Sequence, residues 1–87
     1  MNLPPESEVV RAIRAFVERE FLYMRPGFVL SDDESLLKSG VVDSMGVLEV
    51  IEFLERQFGV RPLDDEITEA NLGSLRAIAG FVVARRH

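Results

Sequence analysis

Apolar residues return at helical spacing in three separate stretches, and no stretch alternates in the manner of a strand. The pattern restricts the chain to an all-α fold. In the first stretch Val9, Val10, Ile13, Phe16, Val17, Phe21 and Met24 share one side, with Glu8, Arg11, Arg14, Glu18 and Arg19 opposite. The Pro4-Pro5 pair stops the chain just before it, so the spacing predicts a helix from about Glu6 to Tyr23. A second helix is expected over Ser44–Phe58, with Val47, Val50, Ile51, Leu54 and Phe58 inward. A third long helix is expected from Ser74 to about Arg85, burying Leu75, Ile78, Ala79 and Val82. The 87 residues suffice for one core, and with no cysteine and a single terminal His87 that core must be held by packing.

The connections carry their own signals. The stretch from Met24 to Asp43 is long for a compact domain, yet Phe28, Leu30, Leu36, Leu37, Val41 and Val42 are too apolar to leave in water. Pro26-Gly27 opens it as a turn. Ser31 followed by Glu34 has the form of a capping box, which predicts one or two helical turns over Asp32–Lys38, closed by Gly40. Gly59 stops the second helix, Asp64–Glu66 reads as polar loop, and Thr68–Leu72 as a short helix. The expected architecture is a small bundle of three main helices plus short helical turns, one domain over residues 1–87.

Charge is distributed unevenly. The net charge is −5, but residues 31–69 hold eleven acidic side chains against Lys38, Arg56 and Arg61, a local balance of −8. Such a middle segment repels nucleic acid and anionic membranes and attracts basic protein surfaces. No apolar run reaches membrane-spanning length and no signal pattern opens the chain, so the default expectation is a soluble, cytoplasmic monomer without membrane insertion.

Within the acidic segment, Gly40-Val41-Val42-Asp43-Ser44-Met45-Gly46 places one hydroxyl at the start of the second helix, with Asp43 as its N-cap. Hydrolysis by a serine nucleophile needs a base, and the only histidine is the chain's last residue, so a catalytic triad is rejected. Attachment suits Ser44 better, because a phosphodiester there would meet the free amides and positive dipole end of a helix. At about 100° per residue, Met45 and Leu48 fall outside the buried arc, among Glu49, Glu52 and Glu55. This arrangement reads as an apolar docking centre with a charged rim. Gly46 lowers helix propensity by about 1 kcal/mol against alanine, and close access for a partner or for an attached arm is its expected return.

This string resembles the phosphopantetheine attachment site of acyl, peptidyl and aminoacyl carrier proteins: a glycine, two apolar residues, then Asp-Ser-Leu or Asp-Ser-Met. The similarity extends over nearly the whole predicted helix order, so it implies an acyl-carrier-like bundle. It further implies that Ser44 receives 4′-phosphopantetheine from coenzyme A through a separate phosphopantetheinyl transferase. The arm's thiol would then hold acyl or aminoacyl groups as thioesters, loaded by an adenylating ligase and passed to acyl-accepting enzymes. Asp43, Met45, Glu49 and Glu55 stand where the family contacts its basic partners. On this reading the chain is not an enzyme, and no metal is called for. Gly46 and Arg56 depart from fatty-acid carriers, which usually have acids there. Asp-Ser-Met-Gly with Gln57-Phe58-Gly59-Val60 is closer to D-alanyl and other aminoacyl carriers. The competing expectation is an unmodified helical adaptor that binds a basic partner through the same acidic helix.

Overall fold

The computed structural model describes residues 5–86, which form four α-helices and one 3₁₀ turn, with no strand among them. Helix α1 spans Glu6–Phe21, α2 Ser44–Phe58, α3 Glu69–Leu72 and α4 Leu75–Arg86, with the 3₁₀ turn at Asp64–Glu66. The expected all-α bundle of three main helices is observed. None of the described helices is long and apolar enough to cross a membrane.

Helix α1 ends two residues before the predicted boundary. Leu22 leaves helical geometry and buries its side chain, while Arg25 and Phe28 donate amide hydrogen bonds back to Leu22 and Arg25 in consecutive turns. Pro26 disfavours helical geometry at the residue before it. Met24, expected on the inner side of α1, is therefore 76% exposed in the loop.

Over residues 32–40 turns form as expected, with the Ser39 amide donating to the Ser35 carbonyl at 3.0 Å, but they do not join into a regular helix. Ser31 Oγ accepts from the amide of Asp33 rather than Glu34, and Glu34 reaches the Ser31 amide at a long 3.4 Å. The Leu36 amide donates to the Gly73 carbonyl across the fold, at 2.8 Å, so it is lost to a local helix. Gly40 closes the turn at φ 78°, as the sequence predicts. Two cations tie the same loop down: Arg14 of α1 pairs with Asp32, and Arg76 of α4 pairs with Asp33 at 2.6 Å.

The core lies between α1, α2 and α4. Leu75, Ile78, Ala79 and Val82 are wholly buried and continue the packing of Val9, Ile13 and Val17. Phe53 stacks on Phe16 with ring centroids 4.3 Å apart, and Phe21 and Phe58 meet this pair edge-on. The helical wheel of the sequence omitted Phe53 from the buried side. The buried arc of α2 is wider than five residues because it faces α1 as well as the loop.

Beyond α2, Gly59 adopts the left-handed conformation (φ 69°) and its amide donates to Glu55. Thr68 caps α3 and Ser74 caps α4, each accepting an amide hydrogen bond at 3.1 Å. Glu66 accepts from the Leu63 amide at 2.8 Å and from Arg85 at 2.6 Å. Together these hold its carboxyl below the usual range, the backbone bond contributing most. Because the folded state favours ionised Glu66, its stabilisation is present at neutral pH and is lost as pH falls through the depressed folded value. Glu66→Gln is thus expected to lower the thermal midpoint at pH 7, and the gap to the parent should close in acid; melts across pH measure this.

Candidate functional site at the start of the second helix

Ser44 is exposed, while the chain is anchored two residues to either side of it. Val41 and Val42 before it are buried core residues, and Gly46 after it is buried too. The serine is therefore held in place from beneath while its own side chain faces solvent. Asp43 is extended and caps the helix, its Oδ1 accepting from the Gly46 amide at 2.7 Å. The Val47 amide donates to the Asp43 carbonyl at 3.1 Å. Among the described residues, the Ser44 and Met45 amides have no hydrogen-bond acceptor. Of the helix end predicted to receive a phosphate, Asp43 thus occupies one amide and two are left.

Gly46 corrects the sequence reading. It does not offer open access to a partner, because the Phe21 ring covers it. A Cβ at this position would stand 2.8 Å from Phe21 Cε1 and 3.0 Å from Val42 Cγ1. Gly46 and Phe53 are seven residues apart, two helical turns, so both face α1 and meet Phe21 and Phe16 respectively. The glycine permits close approach of two helices, and its propensity deficit of about 1 kcal/mol is offset by that contact.

The other predicted residues divide between the two sides of the serine's turn. Met45 is 71% and Leu48 55% exposed, which places both on the surface as the helical wheel requires. Asp43, Glu49 and Glu52 are exposed, and none of them takes part in an ion pair among the described residues. Glu55 is exposed as well, but its carboxylate pairs with Arg61 at 2.9 Å, near the far end of the helix. Arg56 interrupts this surface with an exposed cation.

The sequence reading did not anticipate an apolar pocket of about 120 Å³ beside this turn. It lies between the loop, α2 and α3, and Leu36, Leu37, Val42, Val47, Ile67 and Leu72 supply most of its wall. Thr68 and Glu69 are the polar residues at its edge, and Ser35 donates to Glu69 at 2.6 Å, joining the loop to α3. Val47 was expected to be fully inside, and its half-buried position follows from facing this space. The volume is small beside the roughly 300–1,000 Å³ of pockets for drug-sized ligands, so it suits only a short apolar group.

Comparison with known proteins adds no family: no family model matches the chain, and no curated protein matches it significantly.

Three stability measurements check this geometry. Gly46→Val is expected to lower stability by about 1–3 kcal/mol, because the added side chain overpacks against Phe21 and Val42. Asp43→Ala should lower it by about 0.5–2 kcal/mol through loss of the cap. Ser44→Ala, at an exposed hydroxyl, should change it by no more than about 0.5 kcal/mol in urea unfolding.

Proposed function

We propose that this chain is a carrier domain, with Ser44 the attachment point for a 4′-phosphopantetheine arm that holds acyl or aminoacyl thioesters. The observation that carries the reading is the exposed Ser44 side chain on a helix tip whose flanking residues Val41, Val42 and Gly46 are buried. An attachment point needs an accessible oxygen at a fixed place, and this turn supplies both. The arm would fit here, for the solvent side is open and two amides at the helix end remain for the phosphate oxygens. When bound, it supplies a thiol on which the cargo is held as a thioester.

The residues around the serine divide the remaining work. Attachment would join the Ser44 oxygen to the pantetheine-side phosphorus of coenzyme A as the pyrophosphate bond breaks and adenosine 3′,5′-bisphosphate departs; Asp43 Oδ1 holds the Gly46 amide, and the base that takes the serine proton is assigned to the transferase. The domain tethers the cargo and raises its effective concentration at successive active sites. Asp43, Glu49 and Glu52 form an acidic rim, with Met45 and Leu48 as the apolar centre that a basic partner surface would cover. The partners are the transferase, an adenylating ligase and the enzymes that accept the cargo. The apolar pocket favours a short hydrocarbon portion on that cargo over a purely polar one.

Incubation with coenzyme A and a broad-specificity phosphopantetheinyl transferase tests the reading. Intact-mass analysis should show addition of one phosphopantetheinyl group, absent in Ser44→Ala. An unlabelled parent chain, or a Ser44→Ala variant that labels equally, would refute it. Retention of biological function by Ser44→Ala would instead select the unmodified adaptor.

A further inference from the structure

Ser44 is fixed by residues that are not its immediate neighbours. Asp43, Ser44 and Met45 are all exposed, and among the described residues Ser44 Oγ has no hydrogen-bond partner. The Asp43 cap is local. Its Oδ1 accepts from the Gly46 amide at 2.7 Å and its carbonyl from the Val47 amide at 3.1 Å, which orders the turn relative to α2 itself. Ordering that turn relative to the rest of the molecule takes a contact from another element. Phe21, the last residue of α1, supplies one.

A Cβ built on Gly46 would stand 2.8 Å from Phe21 Cε1 and 3.2 Å from Phe21 Cζ, so the ring rests against the helix backbone. No Gly46 side chain intervenes, and the contact has no rotamer freedom on the α2 side. The ring is itself held. It meets Phe16 edge-on with centroids 6.0 Å apart, and the next residue, Leu22, is buried. Val42 Cγ1 closes on the same point at 3.0 Å, and the Val42 amide donates to the Leu36 carbonyl. Ring and valine thus grip Gly46 from α1 and from the loop, two residues from the serine.

We infer that Phe21 is a positioning residue for attachment at Ser44: through Gly46 it holds the first turn of α2, and with it the serine oxygen, at a fixed place for the transferase. The inference rests on the carrier reading and extends it from the Asp-Ser segment to α1. In that step the Ser44 oxygen bonds to phosphorus and the pyrophosphate bond of coenzyme A breaks. Adenosine 3′,5′-bisphosphate leaves, and the serine proton passes to a base of the transferase. Such a displacement needs the attacking oxygen within about 3–3.5 Å of its target, and a misplacement of about 1 Å costs on the order of a hundredfold. The docking contacts are separate. Met45, Leu48, Glu49 and Glu52 are exposed on α2, whereas Gly46 is buried against the ring. Loss of the ring therefore loosens the oxygen and spares the surface that binds the transferase.

Transferase kinetics with coenzyme A test this on the full chain, comparing the parent, Phe21→Leu and Ile78→Val below their thermal midpoints, with amide hydrogen exchange alongside. Ile78→Val trims the core at α4 and controls for a general loss of stability. Phe21→Leu is expected to lower kcat about tenfold at a parental KM for the carrier, and to speed exchange of the Gly46 and Val47 amides about tenfold. Ile78→Val should keep the parental kcat, and parental exchange at those two amides, while its midpoint falls. A parental kcat in Phe21→Leu, a loss confined to KM, or an equal fall of kcat in Ile78→Val would each overturn the inference. Should Phe21→Leu fail to fold, Phe21→Met, which keeps bulk without the ring, carries the same expectations and the same refutations. A labelled parent with parental kcat in the ring variants removes this inference alone, whereas an unlabelled parent removes the carrier reading with it.

Discussion

Aromatic rings fasten α1 to α2 at two levels, and the serine's place in space follows from that attachment. Phe16 stacks on Phe53, and five residues farther along α1 the Phe21 ring closes over Gly46. Two contacts on one face fix both the separation and the rotation of α2. A single contact would leave the helix free to roll about its axis. Rolling by one residue's worth, about 100°, would carry the Ser44 side chain to a different part of the surface. The rings thus help set the direction in which the hydroxyl points, although those of Phe16 and Phe21 belong to α1 and not to the helix that bears it.

Much of this was legible beforehand, and the gaps have physical causes. Spacing alone located α1, α2 and α4, because each buries one stripe and leaves the rest wet. Asp43, Ser74, Gly40 and Gly59 announced their caps and turns through chemistry local to the chain. What escaped was pairwise and distant in sequence. The Leu36 amide finds Gly73, so the capping signal of Ser31 and Glu34 yields turns in place of a helix. Gly46 carried a true warning, since a glycine in a helical turn asks for a reason, but only coordinates show that Phe21 is that reason. The pocket beside the serine was invisible for the same cause, being assembled from the loop, α2 and α3 together.

The carboxylates fall into two populations, which composition cannot separate. Asp32, Asp33 and Glu66 face arginines from distant parts of the chain and fasten loop to helix. Asp43, Glu49 and Glu52 make no such pair among the described residues and stand outward. The first group spends its charge inside the molecule, and the second projects it into solvent. The Asp33–Arg76 pair is exposed, where such a pair contributes about 0–1 kcal/mol, while Arg14–Asp32 and Arg85–Glu66 are partly buried; all three fix where the loops lie against the helices.

The loop's backbone carries a further consequence for how the gene can change. The Leu36 amide is bound to Gly73, and the Leu36 carbonyl accepts from Val42 at 3.0 Å. Both ends of the segment from Leu36 to Val42 are therefore pinned, and its residue count acts as a ruler that delivers Asp43 to the head of the helix. An inserted or deleted codon within that span would shift the cap off its turn. Pro26 and Gly27 are exposed and make no hydrogen bond among the described residues, and there the chain can change length while the ruler stays intact.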